Sequence, residues 1–387
     1  MTPLPQAGPP VTAGPLQDLP PLVFAEECDR LRDRLAAVAR GEAFLLQGGE
    51  SARSFDGTTA ESVGGILRTL LQMAVVLTYA ASVPVVKVGR VDFGRVDFGV
   101  PAGSGDPGSH RLRRMYEASA TTLNLVRAFG IGGHADLHQV HEWNRGFVTD
   151  SPARRRYTEL ADGIERSLRF MHACGVDPKE VHTVDFFAGH EGRRLDYEEA
   201  LTRTDARTGL PYATSAHLLW TALPGRETAD DEHLAYLSRI HNPVAVELGP
   251  DADPDTVLAC VDRLDPDRVP GRLTFITRMG AELVRDRLPA LVRKAEGEGA
   301  TPVWVCDPVR GNTVRTAGGH VVHDFDALLD EVRGFFEVHR ACGTHAGGIH
   351  VALTGDRVAG AARGARLDRA HSLDLAFLVA EMMGERA

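Results

Sequence analysis

Three observations predict an α/β fold closed into a (β/α)8 TIM barrel, with an N-terminal extension and helical additions. Eight short apolar runs recur along the 387 residues. Helical segments separate most of them, as a parallel sheet requires. No G-x-G-x-x-G follows an early strand, which counts against the alternative, a doubly wound open sheet.

In chain order, residues 1–20 are rich in Pro and Gly and read as a flexible tail, with 21–387 as one barrel domain carrying a helical insertion at about 99–180. Glu26 to Arg40 places Leu31, Leu35 and Val38 on one side of a helix. Phe44 to Gln47 is the first strand, ended by Gly48-Gly49, and Thr59 to Ala81 is a long helix. Pro84 to Val88 is the second strand, with Gly89-Arg90 at its end. The pentapeptide GRVDF occurs at 89–93 and again at 94–98, too short a period for a repeat architecture. The Gly/Pro-rich stretch 99–109 is a linker or mobile loop, followed by helices at 111–129 and 154–174. Later strands fall at Thr183 to Phe187, Pro211 to Ser215, Pro243 to Leu248, Leu273 to Thr277, Val303 to Cys306 and Ile349 to Leu353. Helices are expected at 228–240, 254–264, 280–294, 325–341 and 372–384.

A hydrophobic content of 43% is ample for a large core, and a net charge of −10 with a pI near 5.9 argues against a nucleic-acid surface. Cys28, Cys174, Cys260, Cys306 and Cys342 are scattered without a C-x-x-C, which points to a reducing, cytoplasmic setting. Residues 1–20 lack the apolar core of a secretory signal. The most apolar helical stretch, Ile66 to Val83, is interrupted by Arg68 and Gln72 and reads as a core helix, not a membrane span.

In a barrel, residues at the strand ends share one mouth, where ligands bind. Here those residues are Gln47, Glu50, Ser51, Arg90, His190, Glu191, Ser215, Glu247, Arg278, Asp307, Arg310 and His350. Arg90 and Arg278 offer planar forks suited to phosphate or carboxylate. Glu191 suits proton transfer, or else a local ion pair to Arg193 or Arg194. His134, His138 and His141 fall on one helical face and have zinc-ligand spacing, although histidine fills many other roles; His320 and His323 form a weaker pair.

The stretch from Thr301 to Gly355 carries a resemblance. W-x-C-D-P-x-x-G-N-T is present as Trp304, Cys306, Asp307, Pro308, Gly311, Asn312 and Thr313, and G-G-I-H-V ends in Gly348, Ile349, His350 and Val351. With LPPLVFA, FLLQGGE, VVKVGR, GGHADLHQVHEWNRGFV, DFFAGHE, SAHLLW, TRMG and FFEVHRACGTHAGGIHV, it resembles class II 3-deoxy-D-arabino-heptulosonate 7-phosphate (DAHP) synthases over about residues 19–385. The resemblance implies a barrel that condenses phosphoenolpyruvate with erythrose 4-phosphate, using a divalent metal, often manganese or cobalt, to polarise the aldehyde. It also implies a homo-oligomer, and that His138 and His141 are not the catalytic metal ligands.

Departures fall on that chemistry. The four positions that hold metal in the family are Ser51, Arg310, Ala352 and Gly364 here. A hydroxyl, a guanidinium, a methyl and a hydrogen cannot form that site, so the expectation is that no cofactor is used. The family's phosphate loop aligns with residues 96–100, where Asp97 has arrived. A family lysine is Glu247 and a family arginine is Glu199.

Three readings follow. The first is a diverged carbon–carbon bond-forming enzyme acting on a small anionic metabolite, in specialised or aromatic biosynthesis. The second is an ordinary DAHP synthase whose metal site is relocated, using neighbours such as Glu50, Asp92 and Asp97. The third is a non-catalytic binding protein. The residues assigned to catalysis are Glu191, Asp307 and Arg310, and those assigned to substrate binding are Ser51, Lys87, Arg90, Glu247, Arg278 and His350. No nucleic-acid or membrane partner is expected.

Overall fold

The computed structural model describes residues 14–51, 59–93, 108–131, 155–156, 158–160, 162–164, 166, 185–223, 232–315, 321–354 and 366–384. The strands among them are β1 (Phe44–Ser51), β2 (Val85–Asp92), β3 (Phe186–Glu191), β4 (Thr202–Thr204), β5 (Pro211–Ala213), β6 (Leu218–Ala222), β7 (Val244–Leu248), β8 (Leu273–Thr277), β9 (Val303–Cys306), β10 (Thr313–Arg315), β11 (Val321–His323) and β12 (Gly348–Ala352). Eight of them close into a barrel in the order β1-β12-β9-β8-β7-β6-β3-β2. Every neighbouring pair of these eight is parallel. The (β/α)8 expectation therefore holds. The other four strands make two small antiparallel hairpins, β4 with β5 and β10 with β11.

Strand alternation sorts the side chains into two sets. Leu45, Val86, Val88, Phe187, Leu218, Trp220, Ala245, Ile276, Val303 and Val305 form one buried cluster, the filling of the barrel. Their neighbours Phe44, Leu46, Leu219, Val244, Val246, Phe275, Trp304, Ile349 and Val351 belong to a second cluster, shared with the surrounding helices. Continuing the inner parity toward the strand ends puts Gln47, Arg90, Glu191, Glu247 and His350 on the inside. Lys87 lies between two inner residues and therefore faces outward.

The helices begin and stop where their sequences allow. Thr59 accepts the Ser62 N–H at 3.1 Å while the Ser62 hydroxyl accepts the Thr59 N–H at 2.9 Å, opening Ala60–Ala81. Asp253 accepts the Thr256 N–H at 2.9 Å ahead of Pro254, opening Pro254–Leu264. Asp324 caps Phe325–Cys342, which ends where Gly343 takes a φ of +72°. Leu31, Leu35 and Val38 of the helix Ala25–Ala39 join the inner cluster and floor the barrel. By length and composition Ala60–Tyr79 could cross a bilayer, but 61% of it is buried, and its helix packs on Arg369–Gly384.

Three sequence expectations are corrected. The fourth barrel strand is Leu218–Ala222; Pro211–Ala213 instead pairs with β4 as a hairpin. The third runs to Glu191 and so carries that carboxylate itself. Residues 14–20 are not wholly tail-like: Gly14–Gln17 is a helical turn, Leu16 is buried, and the Arg203 guanidinium donates to the carbonyls of Leu16, Gln17 and Leu19.

Candidate active site

Two charged clusters meet at the C-terminal mouth of the barrel. The first is built on β2, β3, β6 and β12. Arg90 is buried, with its guanidinium over the Trp220 ring, 5.2 Å from the centroid. Its Nη1 lies 3.5 Å from His350 Nε2 and its Nη2 lies 4.0 Å from the Glu191 carboxylate. Arg193 holds the other oxygen of Glu191 at 2.6 Å. The local ion pair foreseen for Glu191 is thus present, through Arg193; Arg194 pairs with Asp196 instead. Burial, then the positive charges of Arg90 and Arg310, push the His350 pKa well down, so its ring is neutral. A guanidinium only donates, so His350 Nε2 accepts and its proton belongs on Nδ1. That Nδ1 and the Trp220 Nε1 are buried and have no hydrogen-bond partner among the described residues.

The second cluster is built on β7 and on the loop after β9. One nitrogen of Arg310 donates to both oxygens of Glu247, each at 2.7 Å. Glu247 is buried, and the Arg310 side chain is 21% exposed, so bulk water screens this pair little. Asp307 caps the short helix Pro308–Gly311 by accepting the Arg310 N–H at 3.3 Å, and its second oxygen lies 3.6 Å from Arg310 Nε. Burial pushes the Asp307 carboxyl up to about 6, Arg310 opposing and Glu247 reinforcing the shift. For Arg310 burial works against the charge, but Asp307, Glu247 and Glu191 outweigh it and hold its pKa above the ordinary arginine value. Glu191 helps to hold the charge of Arg310, and Arg310 helps to depress His350, so the two clusters lie within electrostatic reach of one another.

The remaining candidates divide. Arg278 follows β8, between the strands of Glu247 and Asp307, and its Nε has no hydrogen-bond partner among the described residues. Ser51 is the last residue of β1, in register with Asp92. Lys87 is not brought to the mouth: its Nζ donates to the Val85 carbonyl at 2.9 Å, toward the start of β2, with Asp185 and Arg34 as its charged neighbours. Ser215 precedes β6 and donates to Glu198, which also holds His190, behind the barrel wall. Glu199 is on the outer surface, paired with Arg239. Glu50 pairs with Arg366 at the rim. His323 packs its ring against His371 and Phe325. His134, His138, His141, Asp97, His320 and Gly364 lie outside the described residues. Trp220 is absent from the sequence expectation because that expectation sets the fourth strand one run too early. Placing Leu218–Ala222 in the sheet turns Trp220 inward beside Arg90.

A barrel whose strand ends carry one buried and two half-buried arginines beside carboxylates is suited to an enzyme of small anions. The sequence profile of the Class-II DAHP synthetase family matches residues 11–95 and 97–380. The chain is 51% identical to the "Phospho-2-dehydro-3-deoxyheptonate aldolase" of Streptomyces coelicolor, over 95% of this chain and 91% of that one. It is 43% identical to the "Phospho-2-dehydro-3-deoxyheptonate aldolase AroG" of Mycolicibacterium smegmatis, over 95% and 89%. The chain belongs to the class II DAHP synthase family. At the level of fold alone, it matches a solved phospho-2-dehydro-3-deoxyheptonate aldolase from Francisella tularensis with a TM-score of 0.51 and 12% identity, covering 99% of both chains.

That membership overturns the expectation that no cofactor is used, because the relatives that match nearly the whole chain carry the name of a metal-dependent enzyme. The side chains at the family's metal positions do not suit such an ion. Arg310 is locked on Glu247, and Ala352, at the end of β12, offers no donor. Among the described residues no group of three or more His, Cys, Asp or Glu side chains converges to hold a metal. The described positions therefore do not fit the ion.

Proposed function

We propose that this chain catalyses the DAHP synthase reaction, the aldol-type condensation of phosphoenolpyruvate with erythrose 4-phosphate, as a cytoplasmic enzyme of aromatic biosynthesis. The supporting observation is Arg90: a buried guanidinium held over Trp220 and against His350 and Glu191, at the end of the barrel where its fold class binds substrate. With Arg278 it holds the anionic end of the enolpyruvate donor. Two such groups in a low-dielectric cleft orient the donor as well as bind it.

Attack of the enol carbon on the aldehyde puts negative charge on the aldehyde oxygen. A cation already in place stabilises that charge without reorganisation. Arg310 fills this role, aimed by Glu247 and Asp307. The new carbon–carbon bond leaves the phosphate-bearing carbon electron-poor; water adds there and cleavage of its bond to the phosphate oxygen releases inorganic phosphate and leaves the ketone, while the aldehyde oxygen ends as a hydroxyl. Glu191, flanked by Arg90 and Arg193, takes the proton of that water.

A second reading, a changed acceptor, is favoured by one observation: Glu247 places a carboxylate where the family carries a lysine. The test of both is direct. Chelator-treated protein is incubated with phosphoenolpyruvate and erythrose 4-phosphate, with and without manganese, and loss of enolpyruvate absorbance is followed. Turnover supports the first reading. Its absence in both conditions, with consumption of phosphoenolpyruvate when another aldehyde is supplied, supports the second.

A further inference from the structure

Behind the mouth lies a carboxylate with no part in the chemistry proposed above. Glu331 sits on the helix Phe325–Cys342 and is fully buried. Its Oε1 accepts two successive backbone N–H groups, from Met279 at 2.8 Å and Gly280 at 2.9 Å. Those residues directly follow Arg278. Its Oε2 accepts the Asn312 side-chain amide at 2.6 Å. The same Asn312 amide donates to the Pro308 carbonyl at 2.8 Å, and its oxygen accepts the Ala281 N–H at 3.1 Å. The loop after β8 and the loop after β9 are therefore stitched together through two side chains, both buried.

The fit around these bonds leaves no slack. A Cβ at Gly311 would stand 2.7 Å from Glu331 Oε2 and 2.8 Å from the Gly280 nitrogen, so a glycine is needed for the two loops to touch. Gly280 takes a φ of +81° at the same point. The donors are matched to a carboxylate, since both oxygens only accept. Arg285, on the neighbouring surface, bonds Asp330 and Glu337 and not Glu331, so it leaves the buried charge to these neutral donors.

We infer that Glu331 is a positioning residue of the site: it ties the loop carrying Arg278 to the loop carrying Asp307 and Arg310, so that three charged groups from two loops keep one mutual geometry. The inference rests on the proposed reaction only in that the reaction uses those groups. Misplacing a binding group by about 1 Å is enough to cost on the order of 100-fold in rate, so a tie of this kind is felt at the mouth although it touches no substrate.

The test exchanges the partners. In Glu331→Gln an amide faces the Asn312 amide, donor against donor. In Asn312→Asp two carboxylates face each other. With both changes, the amide introduced on the helix donates to the carboxylate introduced in the loop. The backbone donors of Met279, Gly280 and Ala281 keep acceptors, and the Pro308 carbonyl alone loses its donor. Hydrogen exchange of the full chain is measured in peptides spanning 278–284 and 307–315, together with KM and kcat for phosphoenolpyruvate. Each single change is expected to raise exchange in both loops together and to lower kcat/KM by about 10-fold, through KM as Arg278 shifts and through kcat as Arg310 shifts, as befits a lost charged hydrogen bond. The double change is expected to return both readouts toward wild type. Faster exchange in one loop only, or a double variant worse than either single, overturns the inference. If Glu331→Gln does not accumulate, Asn312→Ala removes the bridge and leaves Glu331 its two backbone donors, and the same two loops are read. A wild-type protein that does not turn over phosphoenolpyruvate removes the proposed reaction alone, because exchange reports the tie without substrate.

Discussion

Burying an arginine costs free energy unless its surroundings replace what water would have given, and around Arg90 a ring face, a neutral imidazole and a carboxylate do so. Its replacement is therefore informative. Arg90→Ala is expected to weaken phosphoenolpyruvate binding by about 100-fold in calorimetry, and Arg90→Lys to recover little, because an ammonium cannot match a planar fork. Unchanged affinity in Arg90→Ala would place the anion elsewhere in the mouth. At this scale much of the site was legible. Arg90, Glu191, Glu247 and Asp307 each stand at or just past the end of an apolar run, where alternation leaves little choice of direction. The same parity rule, applied to Val86-Lys87-Val88, excludes Lys87; its neighbours on either side fill the barrel. The partnership of Arg310 with Glu247 was not legible. It joins residues far apart in the chain, and only strand order brings β7 and the β9 loop to one mouth.

Between elements, contacts depend on how closely two backbones approach, and pattern carries little of that. Gly271 precedes β8 with a φ of +83°, and a Cβ there would meet the Arg32 carbonyl oxygen at 2.2 Å and the Ala36 nitrogen at 2.5 Å. Gly271→Ala is expected to cost about 3 kcal/mol, strain and overpacking together, read as a lower urea midpoint with an unchanged slope. A midpoint equal to wild type would mean that this loop has room to retreat. The misplaced fourth strand belongs to this scale too. Pro211–Ala213 and Leu218–Ala222 are both short and apolar, and local pattern does not say which enters the barrel. The choice is made by pairing: Leu218 to Trp220 lie in register with Gly189 to Glu191, whereas Pro211 to Ala213 fold back on Thr202 to Thr204. Buried Asn242 settles the hairpin by accepting the Ala213 N–H at 2.8 Å and donating to the Ala213 and Ala216 carbonyls.

For the molecule as a whole, buried carboxyls set a dependence on pH. Burial pushes Asp307 up to about 6 and Glu331 up to about 7, the latter against its three donors. Both lie above their values in an unfolded chain, so between pH about 4 and 7 the folded protein binds more protons than the unfolded one. Their contribution to stability is full below the unfolded values and is lost as pH rises through 6 and then 7. For Glu331 the span is on the order of 3 kcal/mol. Melting temperature measured from pH 5 to 8 should fall more steeply in wild type than in Glu331→Gln; parallel profiles would mean that Glu331 stays ionised across the range.

The floor of the barrel ties an early helix to a late strand in time as well as in space. The helix Ala25–Ala39 presents Leu31, Leu35 and Val38 to β1, which follows at once, but also to Val303 and Val305 of β9. During synthesis that apolar face precedes β9 by more than 260 residues, so part of its seat is made late. At about 5–20 residues per second it waits for tens of seconds. Throughout that interval the nascent chain displays an amphipathic helix with an incomplete partner, the kind of surface that holdase chaperones bind. Closure of the floor is thus a late event, and a chain truncated before β9 would remain open at its base.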